Sequence, residues 1–267
     1  MNIPEFADKS ELIDWLVVNK SSLIAQKKAT IKYADACLAS PVMLTEKGEA
    51  TKAELIPATA TKIKVRSIIN TTKILDSHGD VHIDQLWNKS LKETRDHYLV
   101  KEHNFSFEGI ISENVHAFAK QMSWAELGYT FEGSTQALVY DSVISKEDSP
   151  DMFERYRKGK IKQHSVGMRY VKVELAANDE RYEKEKAIWD KYIDQVANKD
   201  AAIDQGWFFA VLEAKNIEGS AVVKGSNFAT PTFSVEEKSQ VGKPLEEEPE
   251  KSTTKLDVNE LLNSYKL

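Results

Sequence analysis

Cysteine is almost absent: Cys37 is the only one in 267 residues. A single thiol excludes an intrachain disulfide framework and a Cys-based zinc site, and it fits a reducing compartment. Long apolar runs are also missing, and none approaches the roughly 20 residues needed to cross a bilayer. The opening stretch, MNIPEFADKSELIDWLVV, has acidic residues and no basic region ahead of its apolar part, which argues against a secretory signal. Nor is there a surplus of positive charge. The formal net charge of −6 disfavours a general nucleic-acid binder. No internal repeat is present. What remains is an ordinary globular composition, 41% hydrophobic and 29% charged, long enough to bury a core in one large domain or two small ones.

Composition divides the chain into three zones. Residues 1–60 open with SELIDWLVVNKSSLIAQKK, where Leu12, Trp15, Leu16 and Leu23 recur at near-helical spacing behind Ser10 as candidate N-cap. A linker rich in Thr, Ala and charge follows. Residues 61–235 hold the strand-like segments KIKVRSIIN, VHAFAKQMSW, STQALVYDSVI, KQHSVGMRYVKVEL and GWFFAVLEAKNI. Helical patterns over IDQLWNKSLKETRDHY and NDERYEKEKAIWDKYIDQVAN interrupt them. Residues 236–267 begin as a Pro/Glu/Lys-rich disordered tether and end in a short amphipathic segment carrying Leu256, Leu261, Leu262 and Tyr265. Many strands with few helices predict a mainly β fold with helices packed outside it.

Three segments hold side chains suited to chemistry. In IKQHSVGMRY, Val166, Met168 and Tyr170 form the apolar phase of a strand. Ser165 lies on the opposite phase, ahead of a glycine that admits close approach of another chain. His103 follows the strand-like HYLVKE and opens a loop, where a rigid scaffold could hold a general base. Glu213 ends the apolar run WFFAVL, where a buried carboxylate needs a partner. Each has an ordinary structural alternative: a strand serine, a satisfied histidine, and a glutamate paired with a lysine such as Lys215. A zinc reading would gather His78, His82, Asp80 and His103. The DSHGDVHID run fits a turn better, since Asp, Ser and Gly all favour turn geometry.

In their order, DSHGDVHIDQLWNKSL, KEHNFSFEGII, YRKGKIKQHSVGMRY and LEAKNIEGSAVVKGSNFATP resemble the prohead (capsid maturation) serine proteases of tailed bacteriophages. The resemblance covers about residues 62–233. It implies the fold of the herpesvirus assemblin proteases, a closed β-barrel surrounded by helices. It also implies Ser165 as nucleophile, His103 as base and Glu213 as third member. Assemblins use a second histidine in that third role, which brings in His116 and His164, although His164 should point to the face opposite Ser165. Arg169 is the candidate to hold an oxyanion-stabilising water. Two features depart from the family: its segment often reads Glu-apolar-Ser, whereas Glu213 is followed by Ala214 and Lys215, and a charged helix at about 178–198 intervenes.

The activity so implied is a serine endopeptidase that needs no cofactor and cleaves major capsid protein, scaffold protein and its own termini. PATATK and FATPTF are candidate self-cleavage segments. It would work in the host cytoplasm inside the immature capsid, without nucleic-acid or membrane partners, and a homodimer is compatible with the resemblance. Two rivals stand beside it: a non-catalytic capsid-assembly or scaffolding protein of the same fold, and a metal-dependent hydrolase using the His78/His82 region.

Overall fold

The computed structural model describes residues 3–32 and 56–237. The first helix, α1 (Lys9–Val18), is capped by Asp8 rather than Ser10. The Asp8 carboxylate accepts from the Glu11 N–H at 2.9 Å, satisfying a donor that a helix start leaves open. A second helix, α2 (Lys20–Ala29), buries Leu23 and the charged Lys27. Most of the expected linker, and the C-terminal tether with its amphipathic segment, lie outside the described residues.

The strands form two sheets. In the first, β1 (Lys62–Thr71) lies between β6 (Ser134–Ser145) and β9 (Thr232–Glu237), and β5 (Val115–Ser123) borders β6. β1 starts by alternating, with Ile63 and Val65 inward and Lys62 and Lys64 outward, and is buried from Ser67 onward. The second sheet is organised by β8 (Trp207–Val222), which pairs antiparallel with β7 (Gln163–Ala177) along one edge. Two short parallel strands share its other edge: β2 (Asp80–His82) beside Phe209–Val211, and β3 (Leu99–Lys101) beside Gly219–Ala221. β4 (Ile110–Ser112) pairs with β3.

The expected closed barrel is therefore corrected to two packed sheets that do not close. Closure requires strands long enough to carry a consistent stagger around a ring. At β2, β3 and β4 the second sheet has segments of only three residues. The main core lies between the sheets, where Ile63, Val65 and Ile69 of β1 and Leu138 and Tyr140 of β6 share a cluster with Val166 and Phe209. A second cluster of Trp189, Tyr192, Phe208 and Ala210 seats α5 (Glu183–Tyr192) against β8. The expected helices over 83–98 and 178–198 are shorter than their patterns: α3 (Asn88–Glu93) forms within the first and α5 within the second. Between β6 and β7, α4 (Pro150–Arg157) starts on a proline, whose missing N–H costs nothing in a first turn.

Candidate active site

β8 is the platform. Ser165 of β7 stands opposite Ser220, and Gly167 opposite Glu218. Opposed residues of an antiparallel pair share a face, as do positions two apart on one strand. Ser165, Gly167, Glu218 and Ser220 therefore line one face. On the other edge of β8, Val100 of β3 stands beside Ser220, and the chain then turns sharply. Glu102 and His103 both take left-handed backbone, with φ of 49° and 57°, a conformation costing a non-glycine residue about 1–3 kcal/mol. The His103 N–H donates to Ser220 Oγ at 2.7 Å, and the Glu102 N–H to the Ala221 carbonyl at 3.0 Å. Gly109 lets the loop close, because a Cβ there would stand 1.9 Å from the Asn104 carbonyl oxygen. The turn is thus pinned to β8 beside the serine strand.

The acid that meets the histidine is Glu218. Its Oε1 lies 2.6 Å from His103 Nδ1, and its side chain is almost wholly buried. Gly167 makes this placement possible: a Cβ on residue 167 would stand 2.2 Å from Glu218 Oε1. The close approach that this glycine permits is that of the Glu218 carboxylate. Burial raises the Glu218 carboxyl above its usual range, against the opposing effects of His103 and the Gly167 N–H. Glu218 Oε2 is buried with no hydrogen-bond partner among the described residues. An ionised Glu218 can only accept, so Nδ1 carries the proton and Nε2 becomes the basic nitrogen of His103.

Glu213 is a different kind of residue. It stands opposite Lys172, is partly exposed, and pairs with Lys89 Nζ at 3.3 Å rather than with His103 or Lys215. The carboxylate that the structure brings to His103 is Glu218, not Glu213. A signal was present, since Glu218-Gly219-Ser220 carries the Glu-x-Ser order that Glu213 lacks. Arg169 is exposed and stands opposite Lys215, beyond the register shift at which β8 carries Ile217 as an extra residue. His164 is fully buried, with Nε2 2.9 Å from Tyr156 Oη and 3.0 Å from Ser67 Oγ. His116 stacks on Phe118 in the other sheet.

Two residues of the zinc reading, Asp80 and His82, belong to a hydrogen-bonded chain instead, while His103 lies against Glu218. The Tyr170 hydroxyl donates to Asp80 Oδ2 at 2.8 Å, leaving its oxygen to accept from His82 Nε2 at 3.1 Å. His82 Nδ1 then accepts from Asn70 Nδ2 at 2.9 Å. Both ring nitrogens are occupied, and burial pushes the imidazole down to about 4, keeping it neutral. Asp80 is fully buried and paired with Lys27. Burial alone would raise its carboxyl, but Lys27, Lys32 and Tyr170 outweigh burial and hold it below the usual range. Among the described residues no group of three or more His, Cys, Asp or Glu could hold a metal ion. A small cavity of about 10 Å³ separates this chain from Ser165, with Lys32, Asn70, His82, Met168, Tyr170 and Asn227 among its walls. That is room for roughly one water.

Comparison of the chain with protein-family models, curated proteins and solved structures finds no match.

Proposed function

We propose that this chain is a serine endopeptidase of the prohead-protease type, with Ser165 as nucleophile, His103 as base and Glu218 as the residue that orients it. The observation that carries the reading is the 2.6 Å contact between His103 and Glu218, on the face of the sheet that bears Ser165. His103 Nε2 takes the Ser165 hydroxyl proton as Oγ attacks the scissile carbonyl carbon, giving a tetrahedral oxyanion. The proton then passes to the departing amine as the C–N bond breaks, leaving an acyl-enzyme. Water, deprotonated by the same histidine, releases the acid and restores the serine. Glu218 stays ionised and stabilises the imidazolium. The substrates are extensions of capsid and scaffold proteins and the enzyme's own termini.

The test compares intact masses of the chain and its Ser165→Ala variant after concentrated incubation, followed by a serine-reactive phosphonate. Loss of a terminal segment, or phosphonate labelling at residue 165, in the serine chain alone supports the reading. Two unchanged masses with no labelling would reject it. The rival, an assembly protein without catalysis, draws on one observation: Ser165 is only 6% exposed. It expects the two chains to behave identically.

A further inference from the structure

β7 has a second edge, away from β8. Backbone groups of alternate residues point to the same edge, so His164, Val166 and Met168 share it. Two segments lie along it. The His164 N–H donates to the Thr230 carbonyl at 2.9 Å. Four residues further on, Lys32 pairs antiparallel with Met168: its N–H donates to the Met168 carbonyl at 2.8 Å, and the Met168 N–H returns to the Lys32 carbonyl at 3.3 Å. Val166, the neighbour of Ser165, lies between these contacts.

Lys32 is the end of the described N-terminal segment, and its ammonium goes to a prepared place. Nζ lies 3.7 Å from Asp80 Oδ2 and 5.6 Å from the centre of the Tyr170 ring. Five residues earlier Lys27 pairs with the same Asp80, and its ammonium sits 4.4 Å from the centre of the Phe209 ring. A carboxylate taken wholly out of water would be unstable without cations, so the pocket is built around positive charge. Lys32 also forms one wall of the small cavity beside Ser165. With the segment in place Ser165 is only 6% exposed.

We propose that residues 20–32 are an intramolecular blocking segment: Lys32 occupies the edge of the serine-bearing strand, and the Asp80–Tyr170 pocket that receives it reads a basic side chain in any peptide that takes its place. In the antiparallel register of Lys32, such a peptide sets its lysine or arginine opposite Met168, three residues before the one level with Ser165. The segment competes from the same chain, so its effective concentration far exceeds that of a free peptide. The inference rests on the peptidase reading only in taking Ser165 as the reacting group.

The test reads binding without turnover, using the full chain with Ser165→Ala. The probe is a labelled peptide of sequence ATIKYAD, matching residues 29–35, beside the same peptide with norleucine for lysine. Lys32→Pro removes the N–H that donates to Met168 together with the ammonium. Lys32→Glu keeps the N–H and sets a second carboxylate against Asp80. Either variant, shown folded by a cooperative melt, is expected to bind the lysine peptide about tenfold or more tightly than the parent, and to prefer it over norleucine by about the same factor. Equal binding of the two peptides overturns the pocket, and equal binding by variant and parent overturns the block. Without any substitution at Lys32, excess lysine peptide must speed amide exchange at Lys32 while the norleucine peptide does not; no difference there also overturns the proposal. A Lys32→Glu chain that keeps Ser165, discriminates between the peptides and never takes the phosphonate would remove the peptidase reading and leave the binding edge standing.

Discussion

Glu218 owes its position to what residue 167 lacks. With a Cβ on that residue, carboxylate and methyl group would occupy the same space, so Gly167→Ala must displace Glu218 from His103. The expected result is loss of phosphonate labelling at Ser165 and a stability loss of about 1–3 kcal/mol from overpacking, read by urea denaturation. Glu218→Gln keeps the shape but cannot stabilise an imidazolium, and should slow labelling by about 10²–10⁴. Glu213→Gln, which loses only the partly exposed pair with Lys89, should leave the rate within about twofold. Labelling that fell equally in both glutamate variants would remove the distinction. Ser165 and His103 were legible as candidates because each sits beside local signals, a strand phase and a strand end. For Glu218 the only local signal is its Glu-x-Ser order, because its contact with His103 depends on a glycine 51 positions away in sequence, brought opposite only by the β7–β8 register.

At the scale of elements, β8 contributes to two of the buried clusters and to the candidate site, but along different parts of its length. Phe208 packs its ring 5.2 Å from Trp189, near the N-terminal end of the strand and ten residues from Glu218. Phe208→Ala should cost about 3–5 kcal/mol through the cavity it leaves and loosen α5. The labelling rate of Ser165 under native conditions should nonetheless stay close to that of the parent. A rate that fell with stability would mean that the two ends of β8 are coupled. The long strands were legible from alternation, as in Ile63 and Val65 against Lys62 and Lys64. Two kinds of information were not. The three-residue strands β2, β3 and β4 are too short to show a period, and without them the sheet order, and hence open sheets rather than a barrel, cannot be reached. Lys27 read as one more polar residue of an amphipathic helix, since its partner Asp80 lies 53 positions away.

For the whole molecule, buried titratable groups tie stability to acidity in opposing directions. His82 and His164 are both pushed down by burial, from 6.5 to about 4. The unfolded chain takes up protons as the pH falls through 6.5, while the folded one resists until about 4. Their contribution is therefore fully present above pH 6.5 and is lost on acidification, amounting to about 3 kcal/mol for each imidazole across that window. Two carboxyls act the other way. Asp76 is raised to about 7, first by burial and then by the charge of Asp80, and Glu218 is raised by burial. Their folded forms hold the proton more tightly, so they favour the folded state at low pH and lose that advantage as the pH rises, through about 7 for Asp76. These carboxyls oppose the histidines, whereas the lowered Asp80 acts with them, so the useful measurement is a difference. His164→Gln leaves a neutral amide beside Tyr156 and Ser67 and removes one of the two falling contributions. The stability gap between the parent and this variant, from urea melts between pH 7 and pH 4.5, should shrink as the pH falls. A gap independent of pH would show that His164 takes up its proton at the same pH in the folded and unfolded chains, and would remove burial as the force that keeps it neutral.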